Sequence, residues 1–517
     1  MRGALMVCGT GSDVGKTHLV TGLCRVLHRR GVSVAPFKAQ NMSLSSYVTL
    51  GGHEIGRAQA TQAFAAGLEP EVAMNPILLK PSSTTGSQVV LLGRPIGHLE
   101  AAEYHRRKPE LLGHVLDALA DLRRRFDVVL LEGAGGAAEI NLLDRDIVNL
   151  SIADAADLPA IVVGDIDRGG VFASLYGTVA LLPPALRTRV GGFVINKLRG
   201  DPALLFDGTD ELERRSGVPT FGVLPWIDDV ALDAEDSLAM QGPAPRPVGS
   251  APVTVDVAVV RFPHLANPTD LDPLAVEPGV GVRWVDHAAS LGQPDLIVLP
   301  GSKATVADVA WLRAVGLDQA IGASEATVLG ICAGYQALGR SIADPAGVEA
   351  PVGTVVAGLG WIDVDTMWEP DKVTRRVHGT ARVDGSGEEV VHGYEIHQGR
   401  TIAATGVTPW LVLDGVPEGA VATRPSPAGP RRVFGTSLHG LFEADGFRAA
   451  FLAAVSGGAW RPTGVRFADA REAQLDRLGD LVEEHLDLAA IERLLATASP
   501  APSATPPYAT ATTGSHL

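Results

Sequence analysis

The strongest constraint on the fold is a glycine-rich turn near the start of the chain. The segment GTGSDVGKT at residues 9–17 follows an apolar run at 5–8 and opens a helical pattern at 16–30. Backbone amides of such a turn, together with the amino-terminal end of the helix, bind phosphate oxygens. The sequence therefore predicts a strand–loop–helix unit that belongs to a parallel sheet and binds a nucleotide such as ATP.

Single residues of this turn have predicted roles. Gly11 and Gly15 let backbone amides face the phosphates. Lys16 is expected to reach the β- and γ-phosphates, and the hydroxyl of Thr17 suits Mg²⁺. Five residues separate Gly9 from Gly15, one more than in the common phosphate-binding motif. The alternative interpretation is an ordinary glycine-rich turn between a strand and a helix.

The rest of the first 240 residues alternates short apolar runs with longer helical patterns, one of them at 111–125. Runs that are apolar throughout are typical of parallel strands buried on both faces. The alternation predicts an α/β fold with a doubly wound, mostly parallel sheet. Strands are predicted at 5–8, 33–37, 128–131, 160–163, 192–195 and 220–223.

Two of these strands end in polar candidates. The run 128–131 leads to Glu132, and the glycines after it leave room for phosphate and metal, so Glu132 is a predicted second Mg²⁺ ligand. The run 192–195 ends at Asn196, whose amide is predicted to pair with the base of the nucleotide. The alternatives are a solvated acid for Glu132 and an ordinary turn residue for Asn196.

Composition excludes several classes of protein. With 59 acidic against 43 basic residues, the net charge is −16, which disfavours nucleic-acid binding. No apolar run approaches the ~18–20 residues of a membrane span. The three cysteines, Cys8, Cys24 and Cys332, form no disulfide framework or zinc motif, and so favour a reducing cytoplasm.

Changes in composition also divide the chain. Residues 241–252 are rich in Pro and Gly and predict a linker after a first domain at 1–240. Strand-like runs at 255–260, 296–299, 327–331 and 433–436 predict a second α/β domain at 253–498. The Ala/Pro/Ser/Thr-rich end at 499–517 predicts a disordered tail.

The second domain contains a candidate nucleophile. Cys332 lies in a Gly-x-Cys-x-Gly pattern between a predicted strand and a helix, the cysteine form of a nucleophile elbow. The amino-terminal end of that helix would lower the pKa of the thiol and offer an oxyanion amide at Ala333. A second such amide is expected at Gly301 or Ser302. The alternative is a buried structural cysteine.

His439 follows a strand about 100 residues later and is the candidate base for Cys332. The pair resembles the class I glutamine amidotransferases, which release ammonia from glutamine. That resemblance implies a glutaminase-type α/β domain. In that class a Glu follows two residues after the histidine, but Leu441 occupies the place here, so no third member is assigned. Glu395 and His397 share one strand face, which predicts a wall of the glutaminase pocket or a contact between the domains; the alternative is a polar sheet face.

Taken together, short motifs in the first half resemble the cobyric acid synthase family, whose ATP-binding part is similar to dethiobiotin synthetase. The resemblance extends from residue 1 to about 490. By this resemblance, Lys38 helps to stabilise the transferring phosphate. The motifs lie at residues 9–17, 37–43, 56–62, 74–81, 138–141 and 165–173.

The resemblance implies an ATP- and Mg²⁺-dependent ligase that uses glutamine to amidate the b, d, e and g carboxylates of a corrinoid, adenosylcobyrinic acid a,c-diamide. Cations in family-like motifs are candidate contacts for this anionic substrate: Arg57, Lys80, Arg145 and Arg168. One alternative is cobyrinic acid a,c-diamide synthase, which has the same two-domain plan. Others are a ligase with a decayed glutaminase and an ATP-dependent switch of the ParA/MinD type.

Overall fold

In the computed structural model, the described residues are 1–82, 86–227, 230, 252–426 and 429–498. We call residues 1–227 the first half and residues 252–498 the second half. The predicted linker at 241–252, apart from Pro252, and the predicted tail at 499–517 lie outside the described residues.

The first half alternates strands and helices, as its sequence predicts. Its elements are β1 (Gly3–Gly9), α1 (Lys16–Arg29), β2 (Val34–Phe37), β3 (Gln40–Met42), β4 (Ser46–Val48), β5 (Glu54–Gly56), α2 (Arg57–Ala65), β6 (Ile77–Pro81), β7 (Gly86–Leu91), β8 (Arg94–Glu100), α3 (Ala101–Arg125), β9 (Val128–Glu132), α4 (Leu150–Ala155), β10 (Ala160–Asp165), α5 (Val171–Leu181), α6 (Pro184–Arg187), β11 (Val190–Leu198), α7 (Phe206–Ser216) and β12 (Thr220–Pro225).

The second half begins with another alternating region and ends in three helices. Its elements are β13 (Val255–Val260), α8 (Asp272–Ala275), β14 (Val280–Val285), β15 (Leu296–Leu299), α9 (Thr305–Ala314), α10 (Leu317–Ala323), β16 (Thr327–Ile331), α11 (Ala333–Leu338), β17 (Ser341–Asp344), β18 (Thr354–Ala357), β19 (Val364–Val383), β20 (Gly387–Ala403), β21 (Leu411–Leu413), β22 (Val416–Glu418), β23 (Ala420–Ser426), β24 (Gly429–Thr436), β25 (Leu438–His439), α12 (Asp445–Val455), α13 (Phe467–His485) and α14 (Leu488–Leu495).

The main sheet of the first half has the strand order β12-β11-β10-β1-β9-β2, and every pairing is parallel. Its central strands are apolar and buried on both faces, with one hydrophobic cluster on each side. This is the expected consequence of covering both faces with helices. The predicted doubly wound sheet is therefore present. Helix α3 begins ten residues before the predicted start and contains Pro109 within its length.

The second half is built on a sheet with the order β14-β13-β15-β16-β24-β23, parallel except for β23. Beside it lies a second, mostly antiparallel sheet dominated by the long hairpin β19–β20. The loops after β13, β15, β16 and β24 all leave the same edge of the main sheet, because the strands are parallel. Candidate residues far apart in the sequence therefore meet at that edge.

Between β2 and α3 the first half carries elements that the sequence does not predict. Strands β3, β6, β7 and β8 form a small sheet, and β4 and β5 form a separate antiparallel hairpin. These strands are short and partly polar, so they lack the continuous apolar pattern of the main sheet. The β4–β5 hairpin contacts β19 and β20 of the second half.

The last two helices return to the first half. Helix α13 packs along α1, and apolar residues of α13 and α14 join the cluster that covers one face of the first sheet. The fit is close, because a Cβ added to Gly22 of α1 would lie 2.6 Å from Val482 Cγ2. Although 253–498 is the predicted second domain, residues 467–495 thus pack on the first half.

None of the described helices is both long and apolar enough to cross a membrane.

Candidate functional site

The predicted phosphate-binding loop lies at the carboxyl edge of the first sheet, between β1 and α1. Gly15 has the left-handed conformation (φ 93°) and begins the helix, where a residue with a side chain would be strained. Lys16 is buried, and its Nζ donates hydrogen bonds to the carbonyls of Gly11 (2.9 Å) and Gly135 (3.2 Å). The lysine therefore spans the loop and the turn after β9, where phosphate would bind.

Glu132 is the centre of a buried cluster at the same edge. Its Oε1 accepts hydrogen bonds from Thr17 Oγ1 and from Lys38 Nζ, both at 2.9 Å. Its Oε2 accepts one from Gln62 Nε2 at 2.5 Å. The structure thus brings together Thr17, Lys38 and Glu132 as predicted candidates, and adds Gln62, which sequence reasoning missed. A hydroxyl and a carboxylate at this separation form a donor set that suits Mg²⁺.

Asn196 lies beneath the loop. Its Nδ2 donates to the carbonyl of Val14 (2.9 Å), and its Oδ1 accepts from the amide of Lys197 (2.8 Å). A Cβ at Gly15 would lie 2.0 Å from the same Nδ2. This geometry gives Asn196 a role in holding the loop, and its predicted pairing with the base remains a prediction.

The four candidate substrate cations fall into two groups. Arg57 and Lys80 are buried where the two halves meet: Arg57 lies over the ring of Tyr47, and Lys80 Nζ donates to Glu54 at 2.6 Å. Because both side chains are buried, they are better suited to holding the two halves together than to binding a large substrate. Arg145 and Arg168 are exposed on the first half, and Arg168 pairs with Asp13 of the phosphate-binding loop.

The second site begins with the backbone of Cys332. This residue follows β16 and starts α11 with φ 53° and ψ −108°, a conformation that residues with side chains rarely adopt. The surroundings leave no space for larger neighbours, because a Cβ at Gly334 would lie 1.8 Å from the carbonyl oxygen of Leu299. The amide of Cys332 donates to Thr436 at 2.7 Å, which ties the turn to the strand before His439. This is the geometry of a nucleophile elbow.

His439 is held by an acid that the sequence analysis did not assign. Its Nδ1 lies 2.7 Å from Asp270 Oδ2, and the amide of Gly440 donates to Asp270 Oδ1 at 2.8 Å. All three residues are buried. Asp270 lies after β13, 169 residues before His439. Asp270 could have been found from its position after β13, a parallel strand of the same sheet as β24, which precedes His439.

Electrostatics distinguish Cys332 from the other two cysteines. Burial acts to raise the pKa of Cys332, but the charge and hydrogen bond of His439 outweigh it and lower that pKa. Burial acts to lower the pKa of His439, but Asp270 and Cys332 raise it to about 10. Burial raises the pKa values of Cys8 and Cys24 far above the usual range. The arrangement therefore favours a thiolate–imidazolium pair at Cys332.

A pocket opens at the sulfur of Cys332 and is lined by residues of both halves. The predicted oxyanion residues Gly301 and Ala333 line it, and a Cβ on Gly301 would lie 3.2 Å from His439 Cε1. His397 also lines the pocket, and Glu395 precedes it on β20, with its Oε1 3.7 Å from His397 Nε2. Leu44 and Lys80 of the first half line it as well.

Two charged groups in this pocket have polar atoms without a hydrogen-bond partner within the described residues. The ammonium of Lys303 makes no hydrogen bond or ion pair there, and burial lowers its pKa to about 8. Glu349 accepts one bond, from the amide of Val306 to Oε1, but its buried Oε2 has no partner. Burial raises the pKa of Glu349 to about 7. The pocket thus offers one free donor and one free acceptor beside a nucleophile.

Comparisons with known proteins agree with this two-site arrangement. The CobQ/CobB/MinD/ParA nucleotide binding domain family matches residues 5–239, and the CobB/CobQ-like glutamine amidotransferase domain family matches residues 256–447. These matches confirm the predicted fold class, a P-loop α/β domain followed by a glutaminase-type α/β domain.

Several curated relatives match both halves at once. Cobyric acid synthase of Nocardia farcinica is 51% identical over 520 residues, covering 97% of this chain and 98% of that protein. Cobyric acid synthase of Streptomyces coelicolor is 49% identical, with coverage of 97% and 98%. That of Syntrophobacter fumaroxidans is 46% identical, with coverage of 95% and 98%. At this identity over nearly the full length of each, the chain belongs to the cobyric acid synthase family.

Proposed function

We propose that this chain uses glutamine and ATP to amidate the b, d, e and g carboxylates of adenosylcobyrinic acid a,c-diamide, giving adenosylcobyric acid in cobalamin biosynthesis. The observation that carries the proposal is the pairing, in one chain, of the Cys332–His439 pocket with the phosphate-binding loop beside Glu132. The shared name of its relatives, cobyric acid synthase, supports the corrinoid as the substrate.

Ammonia release is assigned to the second half. The Cys332 thiolate attacks the side-chain amide carbon of glutamine, and the backbone amides of Gly301 and Ala333 stabilise the oxyanion. The imidazolium of His439 then gives its proton to the leaving nitrogen, so ammonia departs and a thioester remains. Neutral His439 next accepts a proton from water, which attacks the thioester and releases glutamate. Asp270 keeps the imidazole oriented and stabilises its positive charge throughout.

The Lys303 ammonium and the free Oε2 of Glu349 match the charged end of glutamine, which carries an α-carboxylate and an α-ammonium. The ammonium of Lys303 is placed to donate to the α-carboxylate, and the free Oε2 of Glu349 is placed to accept from the α-ammonium. A zwitterion needs one group of each kind, because an unpaired buried charge is costly. These contacts would favour glutamine over simple amides.

Carboxylate activation is assigned to the first half. A carboxylate is a poor electrophile, so its oxygen attacks the γ-phosphorus of ATP, ADP leaves, and an acyl phosphate forms. Lys16 and Lys38 offset negative charge on the transferring group. Ammonia then attacks the acyl carbon, phosphate leaves with the bonding electrons, and an amide remains. Thr17 and Glu132 would hold Mg²⁺, which supplies positive charge next to the phosphates.

The proposed division of labour places carboxylate activation in residues 1–240 and ammonia release in residues 253–498, with helices α13 and α14 packed on the first half. Of the predicted substrate cations, Arg168 and Arg145 are the exposed ones, and Arg168 adjoins the phosphate-binding loop. They are therefore the proposed contacts to the carboxylates of the corrinoid.

The test compares the wild-type protein with Cys332→Ala. Each is given Mg-ATP and cobyrinic acid a,c-diamide, in its adenosyl form, with either glutamine or a high concentration of an ammonium salt at pH about 8.5, where more ammonia is free. We expect the wild type to form successive amides with both nitrogen sources, and the variant to form them with ammonium only. Mass spectrometry detects each amide as a loss of about 1 Da. A wild-type protein inactive with both sources would contradict the proposal.

A further inference from the structure

The β4–β5 hairpin of the first half reaches the second half beside His439. The amide of Ser46 donates to Asn267 Oδ1 at 2.8 Å, and the hydroxyl of Tyr394 donates to the carbonyl of Ser46 at 3.2 Å. Ser46, Asn267 and Tyr394 are each at most 3% exposed. One residue of the first half therefore bonds two buried residues of the second half through its backbone.

Those two residues lie on either side of the His439–Asp270 pair. The ring of Tyr394 stacks on the imidazole, with centroids 5.4 Å apart and planes at 18°. Asn267 directly precedes the 3-10 helix Pro268–Leu271, which carries Asp270, and has a left-handed backbone (φ 52°). This conformation is uncommon for a residue with a side chain, so its contacts help to hold it. Ser46 therefore bonds both supports of the candidate base.

The same segment of the first half has both ends on Glu132 at the nucleotide site. Lys38 precedes the hairpin and Gln62 follows it on α2, and both donate to the carboxylate of Glu132. Asn75 links Lys38 to Gly56, the residue directly before α2. Its Nδ2 donates to the carbonyl of Lys38, and its Oδ1 accepts from the amide of Gly56. Residues 38–62 thus form one hydrogen-bonded unit that contacts both candidate sites.

A buried charge cluster fixes the hairpin between the halves. Glu54 Oε1 accepts hydrogen bonds from Ser46 Oγ (2.7 Å) and Lys80 (2.6 Å), and Oε2 accepts from Lys372 of the second half at 2.5 Å. Although burial acts to raise the pKa of Glu54, Lys372 and Lys80 hold it well below its usual range. Breaking one side of such a cluster is costly, so these bonds hold the β4–β5 hairpin against the second half.

We propose that Ser46 positions the His439–Asp270 pair through Asn267 and Tyr394, so that nucleotide binding at Glu132 stimulates ammonia release through residues 38–62. A bound triphosphate competes with Glu132 for Lys38 and so changes the contacts at one end of this segment. The inference rests on the proposed function, because it requires both half-reactions. It assigns positioning roles to Ser46, Asn267 and Tyr394, not catalytic ones.

The test uses Tyr394→Phe, which removes only the hydroxyl, and Asn267→Gly, which removes the acceptor but tolerates the left-handed backbone. For each full-length variant, kcat and KM of glutamine hydrolysis are measured with and without Mg-ATP and the corrinoid. We expect the stimulation by Mg-ATP and corrinoid to fall ~5-fold in each, the effect of about one buried hydrogen bond. Amidation from ammonium should stay within about twofold of wild type. Tyr176→Phe, an exposed tyrosine, is the control.

Three outcomes would overturn the inference: wild-type hydrolysis that Mg-ATP and corrinoid do not stimulate, variants that keep the full stimulation, and variants that lose ammonium-dependent amidation to the same extent. The last outcome would indicate a general structural defect. A wild-type protein that forms amides but shows no stimulation leaves the proposed function intact. A protein that forms no amide from either nitrogen source removes both.

Discussion

Replacing Asp270 by Asn should impair ammonia release from glutamine and leave amidation from ammonium intact. The substitution keeps the shape of the side chain but removes the charge 2.7 Å from His439 Nδ1. A unit charge at about 4 Å from the imidazolium contributes ~4 kcal/mol at an effective dielectric constant of about 20. At 1.36 kcal/mol per pKa unit, this corresponds to a fall of ~3 units in the pKa of His439. That pKa is now about 10.

A lower pKa of His439 raises the pKa of Cys332, because the imidazolium is what lowers the pKa of the thiol. Without the imidazolium, burial dominates and raises the pKa of the thiol, so less thiolate is present at neutral pH. We expect the rate of Cys332 alkylation by iodoacetamide to rise with pH at a higher midpoint in Asp270→Asn than in the wild type. Glutamine-dependent amidation should fall ~10²–10⁴-fold. Amidation from ammonium should remain within about twofold, since the nucleotide site is untouched.

The chain supplies a matched control for this experiment. Asp286 also pairs with a histidine, since His287 Nδ1 lies 2.6 Å from its Oδ1, but both side chains are exposed. Asp286→Asn should change neither the alkylation profile nor either activity. Alkylation is read on the peptide that contains Cys332, which separates it from Cys8 and Cys24. If Asp270→Asn kept glutamine-dependent activity within threefold, or lost ammonium-dependent activity as well, Asp270 would not be the residue that supports His439.

Three further predictions concern other parts of the chain. Lys16→Ala should lower amidation from both nitrogen sources by ~10²–10³-fold, measured by product mass, because a cation at the transferring phosphate is lost. Lys303→Met should raise the KM for glutamine ~10–100-fold, and in the wild type that KM should rise above pH about 8, where the ammonium loses its proton; Lys303→Arg should abolish the rise. Gly22→Val should lower the free energy of unfolding by ~1–3 kcal/mol in urea titrations, because Val482 and Leu478 occupy the space.

The main sheets could be predicted from the sequence because their strands are buried on both faces. Strands β13, β15 and β16 begin and end where the apolar runs do, since nearly all residues of each run pack in the core. The nucleophile elbow and the phosphate-binding loop were also local signals. Both motifs need small residues at fixed spacing around one reactive side chain, and this spacing is visible within a short stretch of sequence.

The acid beside His439 and the amide beside Glu132 were not predictable in this way. Asp270 and Gln62 reach their partners because separate elements end at a shared edge or pack against it, and nothing in the neighbouring sequence records that meeting. Asn196 differs from its predicted place at a strand end. Strand β11 continues to Leu198, and the Asn196 amide bonds the carbonyl of Val14 in the phosphate-binding loop.

Helices α13 and α14 follow the second half in the sequence but pack on the first half, so they hold the two halves together. Their apolar faces pack on the first sheet, and complementary charges lie beside that contact. Arg25 and Arg29 of α1 pair with Asp476 and Asp480 of α13 at 2.7 Å, around the close approach at Gly22. Exposed pairs contribute little each, so they select the register more than they stabilise it. The chain therefore passes between the two sheets twice, once between Ile227 and Pro252 and once more before α13 begins at Phe467. The β4–β5 hairpin adds a further contact between the halves, because Ser46 bonds Asn267 and Glu54 bonds Lys372 beside the second site.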